Sequence, residues 1–115
     1  MEWIQIDNES AFSKIKEESK EKPVVIFKHS TRCSISAAAL ARLERSWKKE
    51  EMNGTNFYFL DLLTFRPLSL KVAEEFDVEH ESPQLLLISN GECVFHSSHM
   101  SISYNEVKNQ LGKIA

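Results

Sequence analysis

The sequence predicts an α/β domain in which strands and helices follow in the order β-α-β-α-β-α-β-β-α, giving a central mixed sheet flanked by helices. Three observations predict it. Residues 24–27 (VVIF) and 57–60 (FYFL) are uninterrupted apolar runs of strand length, the mark of strands covered on both faces. The stretches between the apolar runs space their apolar residues three and four apart, as helices do. Near the end, Asn90-Gly91 sits between two more strand-like runs, the strongest short hairpin signal. Alternating strands and helices require parallel strands with right-handed crossovers, and the terminal hairpin adds antiparallel strands at one side.

Taken in order, "EWIQI" is a short strand carrying Trp3 and Ile6, and Asn8 or Ser10 caps a first helix running to about Lys20. That helix has a narrow apolar stripe of Phe12 and Ile15 between charges, so one side docks and the rest faces water. "EKPVVIFKH" follows as a central strand with Pro23 at its entrance. From Ser34 the spacing is helical, with Ser36, Leu40, Leu43 and Trp47 on one stripe, alanines favouring helix, and Gly54 as the expected stop. "NFYFLDLL" is the third strand; a helix from near Pro67 places Leu68, Val72 and Phe76 together. "SPQLLLIS" and "ECVFHS" form the hairpin, and a last helix starts at Ser103 with Glu106 three residues later, a capping box.

The 115 residues, 42% hydrophobic and 27% charged, suit one domain spanning residues 1–115 with a core of its own. A net charge of −3 gives no basic footprint, so no nucleic-acid partner is expected. No apolar run approaches the roughly 20 residues that span a bilayer, and "MEWIQIDNES" lacks the basic start of a signal peptide. The expectation is a cytoplasmic protein without membrane association. Two cysteines sixty positions apart make neither a disulfide framework nor a metal-ligand pattern, so no metal site is expected.

Cys33 lies where the second strand meets the second helix, after the polar loop "HSTR". A thiol reacts as its thiolate, and an unperturbed cysteine ionises near pH 8.5, so only a few per cent is reactive at neutral pH. Favouring the anion enough takes about 2 kcal/mol, whereas a helix N-terminus typically supplies roughly 0.3 to 1 kcal/mol. The remainder is expected from the backbone N–H groups of Ile35 and Ser36 and from Arg32, with Lys28 and a protonated His29 as further sources of charge. Cys33-Ser34-Ile35-Ser36 has C-x-x-S spacing, with a hydroxyl where a resolving thiol would sit. Ser36 cannot form a disulfide, and its place on the inward stripe predicts a hydrogen bond to the thiolate.

Pro83 opens the strand "PQLLLIS", a place a strand tolerates proline. Cys93 follows the Asn90-Gly91 turn, a strand length or roughly 20 Å from Cys33 at about 3.3 Å per residue, too far for a disulfide. It is read as a packing residue. His96 and His99 read as solvated, the pairs Glu17-Glu18, Glu50-Glu51 and Glu74-Glu75 as helix faces, and Trp47 as core.

With these residues in view, the chain resembles the monothiol bacilliredoxins, proteins with the thioredoxin-like arrangement of strands and helices. The likeness runs through the early "EW" strand, "VVIFKHSTRCSIS", "FYFLDLL" and "ESPQLLLISNGE". The family pattern is Thr-Cys-Pro-Ile-Ser; Cys33, Ile35 and Ser36 match it, while Arg32 and Ser34 replace threonine and proline. The resemblance implies a cis-proline at Pro83 lying against the active cysteine, with the Ser82 backbone offering strand-like hydrogen bonds to substrate. It implies catalytic roles for Cys33 and Ser36 and substrate contacts from Arg32, Ser34, Ile35, Ser82 and Pro83. The implied activity is removal of bacillithiol from client proteins after oxidative stress, a redox-homeostasis role. Bacillithiol is then a co-substrate rather than a bound cofactor, and a low-molecular-weight thiol or another redoxin restores Cys33. Other readings of the same residues are a monothiol redoxin using glutathione or coenzyme A, a dimer bridged by an iron-sulfur cluster, and a non-catalytic binding module built on the Pro83 groove.

Overall fold

The computed structural model describes residues 2–52 and 54–114. Its elements are β1 (Trp3–Gln5), α1 (Ser10–Glu18), β2 (Val24–His29), α2 (Ser34–Ser46), β3 (Asn56–Asp61), α3 (Arg66–Phe76), β4 (Gln84–Ser89), β5 (Glu92–Ser98) and α4 (Tyr104–Ile114), with 3-10 turns at Lys49–Glu51 and His99–Ser101. The strands form one sheet in the order β1-β3-β2-β4-β5. β3 runs parallel to β1 and β2, while β4 is antiparallel to both β2 and β5.

β2 is buried along all six residues because it has a strand on each side and helices on each face, as its unbroken apolar run requires. Alternation along the strand sends Val24 and Ile26 to one face and Val25 and Phe27 to the other. The first face packs on α1 and α3 through Phe12, Ile15, Leu68, Val72 and Phe76. The second packs on α2 and α4 through Ala39, Leu43, Tyr104 and Val107. A β-bulge between Leu87 and Ile88 leaves Val94 out of the β4–β5 register. It explains why Cys93 and Phe95, two residues apart, pack on opposite faces of the sheet.

The second helix ends earlier than Gly54, the expected stop. Trp47 leaves the helix with φ −63° and ψ 134°, and its half-buried ring packs into the second face. A distant residue holds the chain there: Lys48 N–H donates to Tyr104 Oη (3.1 Å), and Tyr104 Oη donates to Glu51 (2.6 Å). Gly54, at φ 76°, instead turns the chain into β3. At the first helix the N-cap is Glu9, without a side-chain capping bond, rather than Asn8 or Ser10; Asn8 Oδ1 accepts both the N–H and the hydroxyl of Ser10 beside it.

At α4 half of the expected capping box forms. Ser103 Oγ accepts Glu106 N–H at 3.2 Å, while the Glu106 carboxylate accepts from Gln110 rather than reaching back to the Ser103 backbone. Ser103→Ala should therefore lower stability by about 1 kcal/mol, read as a lower denaturant midpoint with an unchanged m-value.

Candidate active site

Cys33 is the N-cap of α2, with extended backbone (φ −105°, ψ 120°). Its carbonyl accepts the first helical bond from Ala37 N–H (3.0 Å), and its own N–H donates to Ser30 O (3.2 Å). The side chain is half-buried and the thiol is free. Ser34, Ile35 and Ser36 fill the first helical turn, so their N–H groups have no acceptor within the helix and lie beside the cap position. Ser34 and Ile35 are exposed, as is Arg32.

The antiparallel register of β2 and β4 sets what stands opposite. Lys28 pairs with Gln84, so Pro83 comes next to the end of β2, where the chain turns toward Cys33. The Ser82–Pro83 peptide is cis. Pro83 is buried, Ser82 half-buried, and Pro83 O accepts His99 N–H at 3.0 Å. The 99–103 segment is tied to α2 by Arg42, whose guanidinium donates to Ile102 O at 3.2 Å. Strand end, helix start, proline loop and the turn after β5 thus meet at one end of the sheet. His96 and His99 are both exposed.

Burial works against both further sources of charge expected near the thiolate. Lys28 projects to the α1/α3 face, one residue out of phase with Phe27 and His29, and is fully buried. Its Nζ lies 3.2 Å from His80 Nδ1, and burial lowers the amine to about 8 against the pull of Glu81. His29 does project to the α2 face, but burial pushes its imidazole below the usual range, opposed by Asp61 and Glu44. Of the basic residues expected near the sulfur, Arg32 is the exposed one.

Ser36 also differs from expectation. Its fully buried hydroxyl is engaged on the strand side, accepting Ser30 N–H (3.0 Å) and lying 2.6 Å from His29 Nδ1, and it makes no hydrogen bond to Cys33. The end of β2 passes directly under the first turn of α2, and its backbone and imidazole reach the hydroxyl first. His29 and Ser30 were missed as neighbours of Ser36, although strand alternation from Phe27 already puts His29 on the α2 side. The Lys28–His80 pair had no signal, because fifty-two residues separate its members.

Cys93 sits at the far end of the sheet, paired with Ile88, which itself pairs with Val24 at the start of β2. Its Sγ donates to Phe95 O at 3.3 Å, and burial pushes the thiol up. Cys93→Ser should leave Cys33 chemistry intact, checked as an unchanged rate of Cys33 alkylation. A hollow of about 590 Å³ bordered by Lys20, Pro23, Glu51, Asn90 and Lys108 is also at that far end, away from Cys33.

Comparison with known proteins agrees with this arrangement. A family model described as monothiol bacilliredoxin BrxC matches residues 4–107. Among solved structures, the chain is similar to one described as a candidate oxidoreductase with a thioredoxin fold, at 30% identity and a TM-score of 0.78, covering 92% of this chain and 90% of that one. It is also similar in fold to the thioredoxins of Trypanosoma brucei brucei (13% identity, TM-score 0.71, 98% and 90% covered) and Malassezia sympodialis (16%, 0.70, 95% and 87%). The sheet and its helices are thus a thioredoxin fold, with thiol oxidoreductases as its relatives.

Proposed function

The chain belongs to the monothiol bacilliredoxin family, and from that membership we propose that it removes bacillithiol from protein mixed disulfides with Cys33 as the nucleophile. The observation that carries the reading is a free, half-exposed thiol at the N-cap of α2 whose companion Cys93 lies at the opposite end of the sheet. Such a thiol can enter a mixed disulfide but cannot close one within the chain.

The exchange balances without any bound metal or cofactor. Cys33 thiolate attacks the bacillithiol sulfur of the client's mixed disulfide, the old S–S bond breaks, and the client cysteine leaves as a thiolate that takes a proton from water. Cys33 now carries bacillithiol. A second thiolate, from a low-molecular-weight thiol or another redoxin, attacks that sulfur and returns Cys33 to its reduced state. Arg32, Ser34 and Ile35, exposed next to Cys33 in the chain, and the Ser82–Pro83 segment at the same end of the sheet are the proposed contacts for client and co-substrate. A reducing cytoplasm is the proposed setting, since the cycle starts from a free thiol.

The test is to mix the reduced chain with a bacillithiolated client and follow both proteins by intact mass. Loss of bacillithiol from the client and its appearance on Cys33 are expected. A chain that ignores this substrate while reacting readily with the glutathionylated client would overturn the bacillithiol reading and leave a monothiol redoxin of other specificity.

A further inference from the structure

We propose that His29 is the proton partner of Cys33, a positioning residue that acts on the sulfur through the Ser36 hydroxyl. The proposal rests on Cys33 being the reactive thiol and does not depend on which low-molecular-weight thiol it carries.

His29 and Ser36 are 6% and 0% exposed, so their 2.6 Å contact is shielded from competition by bulk water. A hydroxyl has one hydrogen to give and two places to accept. Ser30 N–H takes one acceptor place at 3.0 Å, leaving one hydrogen and one acceptor place to be divided between His29 and a further partner. Two arrangements follow. With Nδ1 bare, Ser36 gives it the hydroxyl hydrogen and keeps an acceptor place open, suited to a thiol S–H. With Nδ1 protonated, the imidazole donates to Ser36 and the hydroxyl hydrogen is released, suited to a thiolate.

Cys33 and Ser36 are the N-cap and third helical residue of α2, positions whose groups meet across the first turn, as in capping interactions. Passing from one arrangement to the other moves one proton from sulfur to Ser36 Oγ while the Ser36 hydrogen passes to Nδ1. Thiol plus imidazole becomes thiolate plus imidazolium, with no electron transferred and no atom lost. The sulfur and hydroxyl are not hydrogen-bonded in the resting structure; contacts of this kind commonly tighten only in the reacting complex.

Opposing influences act on a proton at His29, burial against it and two carboxylates for it. Phe27 and Phe59 hold the ring at centroid distances of 6.0 and 5.4 Å, fixing its orientation. The charged groups that act on it are Asp61, at the end of β3, and Glu44, on α2. Both stabilise an imidazolium, while burial favours the neutral ring, so the group can take a proton and give it back. Cys33, the N-cap of α2, is the titratable group on the other side of Ser36 in this proposal.

The experiment is the pH dependence of Cys33 alkylation by iodoacetamide between pH 5 and 10, in the full chain carrying Cys93→Ser so that one thiol reports. The parent should show two coupled ionisations. His29→Asn keeps a hydrogen-bonding group toward Ser36 without a titratable imidazole and should show one ionisation, with a rate near pH 7 lower by roughly tenfold, one pKa unit's worth. Ser36→Ala, which cuts the link and leaves His29 in place, should give the same single-ionisation profile. NMR titration of the imidazole before and after alkylation of the parent needs no folded variant, and the midpoint should move once the thiol is blocked. An unchanged imidazole midpoint, or a His29→Asn profile that keeps both ionisations, would overturn the proposal. No bacillithiol is used, so failure of the bacillithiol transfer leaves this result standing.

Discussion

Replacing Cys33 with serine is expected to reduce bacillithiol transfer to the uncatalysed background, a loss of about a thousandfold or more. A hydroxyl is not appreciably ionised near neutral pH and does not attack disulfides, whereas the exchange runs through a thiolate and a mixed disulfide on that sulfur. The fold should not suffer. Cys33 makes no side-chain capping hydrogen bond, and serine is a better N-cap than most residues, so the thermal midpoint should equal or exceed that of the parent. Loss of transfer with intact stability assigns the defect to chemistry. Intact-mass analysis of variant and parent against the same bacillithiolated client makes the measurement, and transfer persisting in Cys33→Ser, with the adduct on Cys93, would defeat the assignment.

Lys28→Met should stabilise the protein and flatten part of its pH dependence. Lys28 is 0% exposed and its amine is lowered from 10.5 to about 8 by burial. At neutral pH the charged form is therefore disfavoured on the order of 3 kcal/mol relative to the unfolded chain. Methionine fills a similar volume without charge; it forfeits the hydrogen bond to His80, worth about 1 kcal/mol. The expected net gain at pH 7 is roughly 1 to 2 kcal/mol. Between pH 8 and 10.5 the unfolded chain keeps the lysine proton while the folded chain has released it, so this residue makes stability rise with pH in that window. Cys93 and Tyr104, raised by burial, work in the opposite sense at the alkaline end, but both are present in parent and variant and cancel in the difference. Urea melts of the two proteins at pH 7, 8 and 9.5 measure it: the variant's advantage should shrink as pH rises. An advantage constant with pH would show that Lys28 holds its proton equally in the folded and unfolded chain, its charge compensated where it lies.

The active-site residues were legible in unequal measure. Cys33 stands out because a buried strand, a polar loop and a helix start are all local patterns, each readable from a few neighbouring residues. Pro83 was legible from its place at a strand entrance and, as a cis-proline, from family likeness. What lies under Cys33 was not. Ser36 was assigned to the thiolate on helical spacing alone, and the structure gives its hydroxyl to His29 and Ser30, because helical spacing names the face and not what the face meets. The positive charge credited to Lys28 and His29 meets opposition from burial for a related reason. Charge at a site depends on side-chain direction and desolvation, and a count of basic residues near the sulfur contains neither.

By itself the sequence determined the order of elements, the central place of β2, the hairpin at Asn90-Gly91 and the placing of a thiol at a helix start, since each follows from local propensity and periodicity. Only the tertiary structure decided where α2 stops, which partner Ser36 takes, that Lys28 is buried against His80, and that a bulge separates Cys93 from Phe95. Those outcomes are set by groups distant in sequence, Tyr104 for the helix and His80 for the lysine. Packing brings such groups together, and the desolvation that accompanies it decides which of them carry charge.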